Sequence, residues 1–259
     1  MTMKMTDSAF FNDYAVDYSD VDEKRTLRPS HLLDFLQDVA VTHSDQLGFD
    51  LDYFEREQIG WALLRWHIQI SRWPHEGEQL TLSTWCEEYR RIRANRNFAI
   101  ADSSGEEICY AASRWALMNM AGRRPARPQK DFLEPYKFPR CREIPAEDFA
   151  MPKAPRREPD SVRLTEVTRR DKDTNGHTNN AVYLDWSTDS LSDGFYLTHT
   201  IRDIRIAYQK EAMQGMKIKI RTWREGDLVI SLFTDAEKDS YQIGSVCTQW
   251  AADGAGRRG

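Results

Sequence analysis

The strongest constraint on the fold of this chain is an internal repeat. Asp20-Val21-Asp22 followed by Leu33-Asp34-Phe35 superposes without gaps on Asp171-Lys172-Asp173 followed by Leu184-Asp185-Trp186, an offset of 151 residues. Leu80 to Trp85 (LTLSTW) matches Ile218 to Trp223 (IKIRTW) at an offset of 138. Cys109 to Trp115 (CYAASRW) matches Gly244 to Trp250 (GSVCTQW) at an offset of 135. Three matches in one order mark a duplicated module, and the shrinking offset requires only shorter connections in the second copy. Prolines crowd the stretch between Pro125 and Pro159, so 141–160 reads as a linker. The expected domains are therefore 1–140 and 161–259.

Both copies share one layout. A short strand (near Tyr14 to Tyr18, and Val162 to Val167) leads through a polar loop into a helix. The first helix is expected from Ser30 to Leu47, with Ser30 as N-cap and Gly48 just past its end. The second is expected from Asn180 to Asp193, capped by Asn179 or Asn180 and ended by Gly194. Four strands follow each helix. They are Ala62 to Arg72, Gln79 to Glu87, Arg96 to Asp102 and Ile108 to Met118, then Ile201 to Gln209, Met216 to Trp223, Leu228 to Asp235 and Tyr241 to Ala251. Alternation in Leu80-Thr81-Leu82-Ser83 and Ile218-Lys219-Ile220-Arg221 suits antiparallel strands with one covered face. A sheet curled around one long helix satisfies this order, and two such units can pair their sheets edge to edge. The expected class is α+β, a tandem hot-dog.

Composition removes several function classes. The 259 residues include eight Trp, ten Tyr and eleven Phe, too many for a disordered chain. No apolar run approaches the roughly 18 residues of a membrane span. The opening residues lack a basic region followed by an apolar stretch, so a cytoplasmic location is expected. The net charge of −5 argues against a nucleic-acid partner. Arginines nevertheless cluster, as Arg90, Arg91, Arg93 and Arg96, and again as Arg123, Arg124 and Arg127 with Lys130. These clusters read as solvated edges or as a surface for an acidic partner. Cys86, Cys109, Cys141 and Cys247 are far apart, and the six His residues show no ligand spacing, so no metal, disulfide framework or cofactor is expected.

The loop before the second helix carries the chemistry. Asp173, Asn175 and His177 place a carboxylate, an amide and an imidazole at alternate positions. In an extended loop they would project from one side, near helix N-terminal amides that favour developing negative charge. Turn and cap chemistry explains part of the segment equally well. The first copy keeps Asp22 but has Lys24 and Thr26 at the other two positions. Folding demands are similar in both copies, so a difference in reactive side chains assigns chemistry to the second.

This pattern resembles the acyl-acyl carrier protein thioesterases of plant plastids and bacteria. The resemblance rests on the loop from Asp171 to Asn180 with Tyr183 and Trp186, on Tyr208-Gln209-Lys210-Glu211, and on the Thr84-Trp85 and Thr222-Trp223 strand ends. It implies a tandem hot-dog fold and hydrolysis of fatty acyl thioesters, with Asp173, Asn175, His177 and Glu211 as catalytic candidates. Plant members carry a Cys directly after the matching Glu; here that residue is Ala212. The resemblance also implies an acyl carrier protein as partner, with Arg90, Arg91, Arg123, Arg124 and Arg127 as docking candidates. Phe35, Leu36, Trp61, Leu63 and Leu64 are acyl-pocket candidates, or ordinary core. A hydratase or dehydratase of acyl thioesters, an acyl-CoA thioesterase and a non-catalytic acyl-binding protein remain alternatives. The oligomeric state, a homodimer included, is left open.

Overall fold

A computed structural model describes residues 4–90, 92–128, 130–138, 149–174 and 176–254, without the side chains of 87–90 and 130–131. The chain divides into two compact units, Met1–Asp148 and Phe149–Gly259. Of the expected linker, 141–148 lie outside the described residues. The rest belongs to the second unit, where Arg157 pairs with Asp160 at 2.8 Å and its carbonyl accepts the Trp223 indole N–H.

The first unit contains β1 (Lys4–Met5), β2 (Phe10–Ala15), α1 (Pro29–Gln46), α2 (Leu51–Glu57), β3 (Ile59–Ile70), β4 (Gln79–Arg90), β5 (Arg93–Asp102), β6 (Glu107–Asn119), β7 (Arg124–Pro125) and α3 (Lys130–Leu133). The second contains β8 (Ser161–Glu166), α4 (Val182–Thr188), α5 (Asp193–Tyr196), β9 (His199–Tyr208), β10 (Lys217–Glu225), β11 (Leu228–Asp235) and β12 (Gln242–Ala252). Within the first unit the strands run in the order β1-β2-β4-β5-β6-β3, with β7 on β6. Within the second they run β8-β10-β11-β12-β9. Setting aside the two-residue β1 and β7, the orders are identical, and all these pairings are antiparallel.

The repeat extends to single hydrogen bonds. The Trp115 indole donates to Ser113 Oγ at 2.6 Å, and Trp250 donates to Thr248 Oγ1 at 2.8 Å. Ser71 and Arg72 amides both bond the Ile108 carbonyl, as Gln209 and Lys210 amides both bond that of Ile243. Thr84 and Thr222, at matching positions, are both buried and hydrogen-bonded.

The helices depart from expectation at their ends. Ser30 is not the N-cap of α1: Arg28 is, because Pro29 takes the first helical position, where its missing N–H costs nothing. Gly48 does follow the helix, with φ of 83°. The first strand ends at Ala15 rather than Tyr18, since Asp17 caps a 3-10 turn over Tyr18–Asp20. The second unit lacks the long helix expected from Asn180 to Asp193. Thr188 Oγ1 turns back on the Leu184 and Asp185 carbonyls and Ser190 Oγ on that of Trp186, competing with continued helix. Ser192 then caps α5, which contains Gly194 instead of ending before it.

In each unit the sheet packs against its helix. α1 lies against β2 and β4, burying Leu32, Leu33, Leu36 and Val39; α4 lies against β10 and β12, burying Tyr183, Leu184 and Trp186. No helix among the described residues is long and apolar enough to cross a membrane.

One arginine of the first cluster faces inward. Arg96 is buried, and its Nη1 donates to His43 Nδ1 at 3.0 Å and to Thr84 Oγ1 at 3.3 Å. Its guanidinium sits over the Tyr136 ring, 5.6 Å from the centroid. Burial, then the adjacent Arg96 charge, pushes His43 from its ordinary 6.5 down to about 2. The unfolded chain therefore takes up a proton below pH 6.5 that the folded chain refuses until about pH 2. Stability contributed by neutral His43 is present above pH 6.5 and is lost as pH falls. Between pH 6.5 and 4, denaturant titrations should show the wild type losing up to about 1.4 kcal/mol per pH unit more than His43→Gln. Parallel slopes would contradict a neutral, buried His43.

Candidate active site

The site begins with a carboxylate that builds a turn. In the first unit Asp22 Oδ1 accepts the amides of Lys24 (2.9 Å) and Thr26 (3.4 Å). The Asp22 amide bonds the Thr26 carbonyl, and Val21 bridges Leu27. In the second unit Asp173 Oδ1 accepts the His177 amide at 3.0 Å, the Asp173 amide bonds the His177 carbonyl, and Lys172 bridges Thr178. Both turns need a left-handed residue at the same place, Arg25 (φ 57°) and Gly176 (φ 78°). A 3-10 turn with a capping box precedes each, closed by Asp17 with Asp20 and by Thr168 with Asp171.

This geometry corrects the expected loop. The segment is a closed turn, so Asp173 and His177 are not strung along one side of an extended chain. Asn175 lies outside the described residues. The helix amides are also largely engaged, the Ala181 N–H by Asn179 Oδ1 and the Val182 N–H by the Asn179 carbonyl. The open amide cradle expected at this helix start is therefore replaced by an Asn179-closed turn.

Glu211 reaches the turn from the end of β9. Thr178 donates both its amide (3.4 Å) and its hydroxyl (2.8 Å) to the Ala212 carbonyl, fastening the loop to the segment after that strand. Tyr208, the last residue of β9, donates its hydroxyl to the Asn180 carbonyl at 2.9 Å. Between these two ties, His177 Nε2 lies 3.6 Å from Glu211 Oε1. The imidazole is about a quarter exposed and the carboxylate about half, so both reach solvent. The structure thus brings Glu211 to His177 from 34 residues along the sequence, while Asp173 holds the His177 backbone within their shared turn.

In the first unit the corresponding positions hold Thr26 and the buried Trp73, a pair without acid–base function. Their equivalence follows from backbone bonding: Leu27 donates to Pro74 O as Thr178 does to Ala212 O, and Gly77 to Val16 O as Gly215 to Val167 O.

No group of three or more His, Cys, Asp or Glu side chains suited to a metal occurs among the described residues. Cys86, Cys109 and Cys247 are free and buried; Cys141 lies outside the described residues. Burial pushes the Cys109 thiol up and that of Cys247 up to about 12, so neither supplies a ready thiolate.

The acyl-pocket candidates have different surroundings. Leu36 and Leu63 are buried, while Phe35 stacks on Tyr14. Trp61 instead stacks on Phe132, in an aromatic cluster with Phe49, Tyr53, Phe54 and Tyr136. Leu64 is half-buried beside a β-bulge between Leu63 and Arg65. Of the docking candidates, Arg123, Arg124 and Arg127 are exposed; Arg91 and the Arg90 side chain lie outside the described residues.

Two family models match the chain, acyl-ACP thioesterase N-terminal domain over residues 7–136 and acyl-ACP thioesterase C-terminal domain over residues 155–252. An oleoyl-acyl carrier protein thioesterase of Arabidopsis thaliana is 28% identical over 211 residues, 75% of this chain and 58% of the relative. Its counterpart from Coriandrum sativum is 27% identical over 219 residues, 78% of this chain and 59% of the relative. The chain thus spans between half and two thirds of the length of the curated relatives it matches. Among solved structures, an acyl-ACP thioesterase from Bacteroides thetaiotaomicron aligns with a TM-score of 0.83 at 24% identity, covering 95% of this chain and 100% of that one. A 12:0-ACP thioesterase from Umbellularia californica aligns with a TM-score of 0.83 at 20% identity, covering 94% and 97%. These likenesses establish the hot-dog fold in α+β form.

β12 comes close to both β9 and α4 at Gly244. A Cβ on Gly244 of β12 would lie 2.9 Å from the Ala207 carbonyl and 3.3 Å from the Tyr183 ring of α4. Gly244→Ala should cost about 1–3 kcal/mol of stability by overpacking. An unchanged melting temperature would contradict this close packing.

Proposed function

The chain belongs to the acyl-ACP thioesterase family, and on that premise we propose that it hydrolyses fatty acyl thioesters borne by acyl carrier protein. The observation that carries this reading is the 3.6 Å approach of His177 Nε2 to Glu211 Oε1, in the one unit whose repeat keeps both residues.

Water is the attacking group in this proposal. The pair takes a proton from it as it adds to the thioester carbonyl carbon, and the C–S bond then breaks. The departing thiolate is a good leaving group and recovers a proton from the same pair. General-base assistance of this kind is worth about 10²–10⁴-fold. Asn175 is assigned the orientation of water or carbonyl on the family resemblance. Asp173 is assigned a positioning role: its carboxylate is occupied by the His177 amide, as that of Asp22 is by equivalent amides in a unit without the pair.

Thiol trapping during incubation with acyl-carrier substrates from short to long chain tests this reading. Free thiol should appear with the wild type, and His177→Ala and Glu211→Ala should each lower kcat by about 10²–10⁴-fold with the fold intact. Reversible hydration of an enoyl thioester without thiol would favour a hydratase. Intact acyl thioester retained on the protein would favour an acyl-binding role.

The exposed Arg123, Arg124 and Arg127 suit an acidic carrier by electrostatic steering. Charge reversal at Arg123 and Arg124 should raise KM for the carrier-bound substrate by about tenfold at low salt, with the effect fading as salt screens it. KM unchanged at low salt would remove this surface from the docking site.

A further inference from the structure

We propose that the hydroxyls of Thr178 and Tyr208 are positioning groups that set the His177–Glu211 separation. They bracket the pair in both sequence and space. Thr178 follows His177 and ties it to the carbonyl of Ala212, the residue after Glu211. Tyr208 precedes Glu211 by three residues and ties β9 to the carbonyl of Asn180, three residues after His177. Thr178 is buried, so its bond to Ala212 is shielded from water; the Tyr208 ring packs edge-on against Tyr183 at 5.3 Å.

The first unit supplies an internal control. Backbone bonding equates Thr178 with Leu27 and Tyr208 with Ile70: Leu27 donates its amide to Pro74 O, and Ile70 faces Cys109 as Tyr208 faces Gly244. Both hydroxyls are thus replaced by buried aliphatic side chains in the unit that lacks the His and Glu. That unit nevertheless forms the same turn, the same bridge and the same strand order. Folding does not require the hydroxyls, whereas a half-exposed carboxylate and an imidazole need restraint to meet.

This inference rests on the hydrolytic reading for its kinetic consequence, though its geometric consequence stands apart. Thr178→Val and Tyr208→Phe keep side-chain shape and remove only the hydroxyls. Each should lower kcat for acyl-carrier thioester by on the order of 10-fold, and together by about 100-fold, with KM within about twofold of wild type. Thr178→Ser, which restores the donor, should return kcat to within about twofold of wild type. Crystal structures of the Val and Phe variants should show His177 Nε2 and Glu211 Oε1 farther apart than the 3.6 Å seen here. Full kcat in the double variant, no recovery in Thr178→Ser, or an unchanged separation would each overturn the assignment. If the wild type releases no thiol at all, the hydrolytic reading fails, and the separation alone still judges the tethers.

Discussion

Everything at the site hangs from a carboxylate accepting backbone amides inside a five-residue turn. An Asp in that position satisfies donors the turn would otherwise leave unpaired, and it does so without help from the rest of the sheet. Asp22 and Asp173 fill the role in the two units, and in both cases a left-handed residue three positions on lets the chain reverse. The turn delivers the next residues to the carbonyl of Pro74 in one unit and Ala212 in the other. The residue directly before that carbonyl is Trp73 in one unit and Glu211 in the other, so the same scaffold holds either core packing or a carboxylate facing an imidazole.

That division explains how a duplicated fold supports one site. Trp73 uses its position in the first unit to fill core, and Thr26 hydrogen-bonds the turn's own carboxylate. His177 and Glu211 use the equivalent positions to face each other at the surface. Neither role disturbs the sheet, because the strand orders and the Trp–hydroxyl bonds of Trp115 and Trp250 are the same in both units. The first unit carries features with no counterpart among the described residues of the second. One is the buried Arg96–His43 pair; another is the aromatic cluster contributed by α2, α3 and their flanks.

Much of this was legible in the sequence. Strand alternation and the three ordered matches pointed to two similar sheets, and β11 runs from Leu228 to Asp235 as expected. A period of two is clear where one face is covered, as in β10, whereas β11 and β12 are buried on both faces and read as apolar runs. The inward turn of Arg96 was missed: it shares a buried face with Ala94, Phe98 and Ile100, whereas its place in an Arg-rich run assigned it to a solvated edge or docking surface. The short α4 was harder, since Leu184 and Trp186 fit a longer helix and only the side-chain bonds of Thr188 and Ser190 end it. α2 carries a visible cap, Asp50 accepting the Tyr53 amide, yet its exposed Leu51 and half-buried Tyr53 and Phe54 give a weak apolar stripe. The meeting of His177 with Glu211 could not be read from spacing at all. It comes from a tertiary bond to a carbonyl, a group every residue shares.

The central claim is that Asp173 builds the site while water, activated by His177 and Glu211, does the cutting. Single-turnover hydrolysis in ¹⁸O-water, followed by mass analysis of both products, tests it most directly. The heavy oxygen should appear in the released fatty acid and be absent from the protein. Label in the Asp173 carboxylate would identify it as a nucleophile passing through an anhydride, and would contradict the assignment.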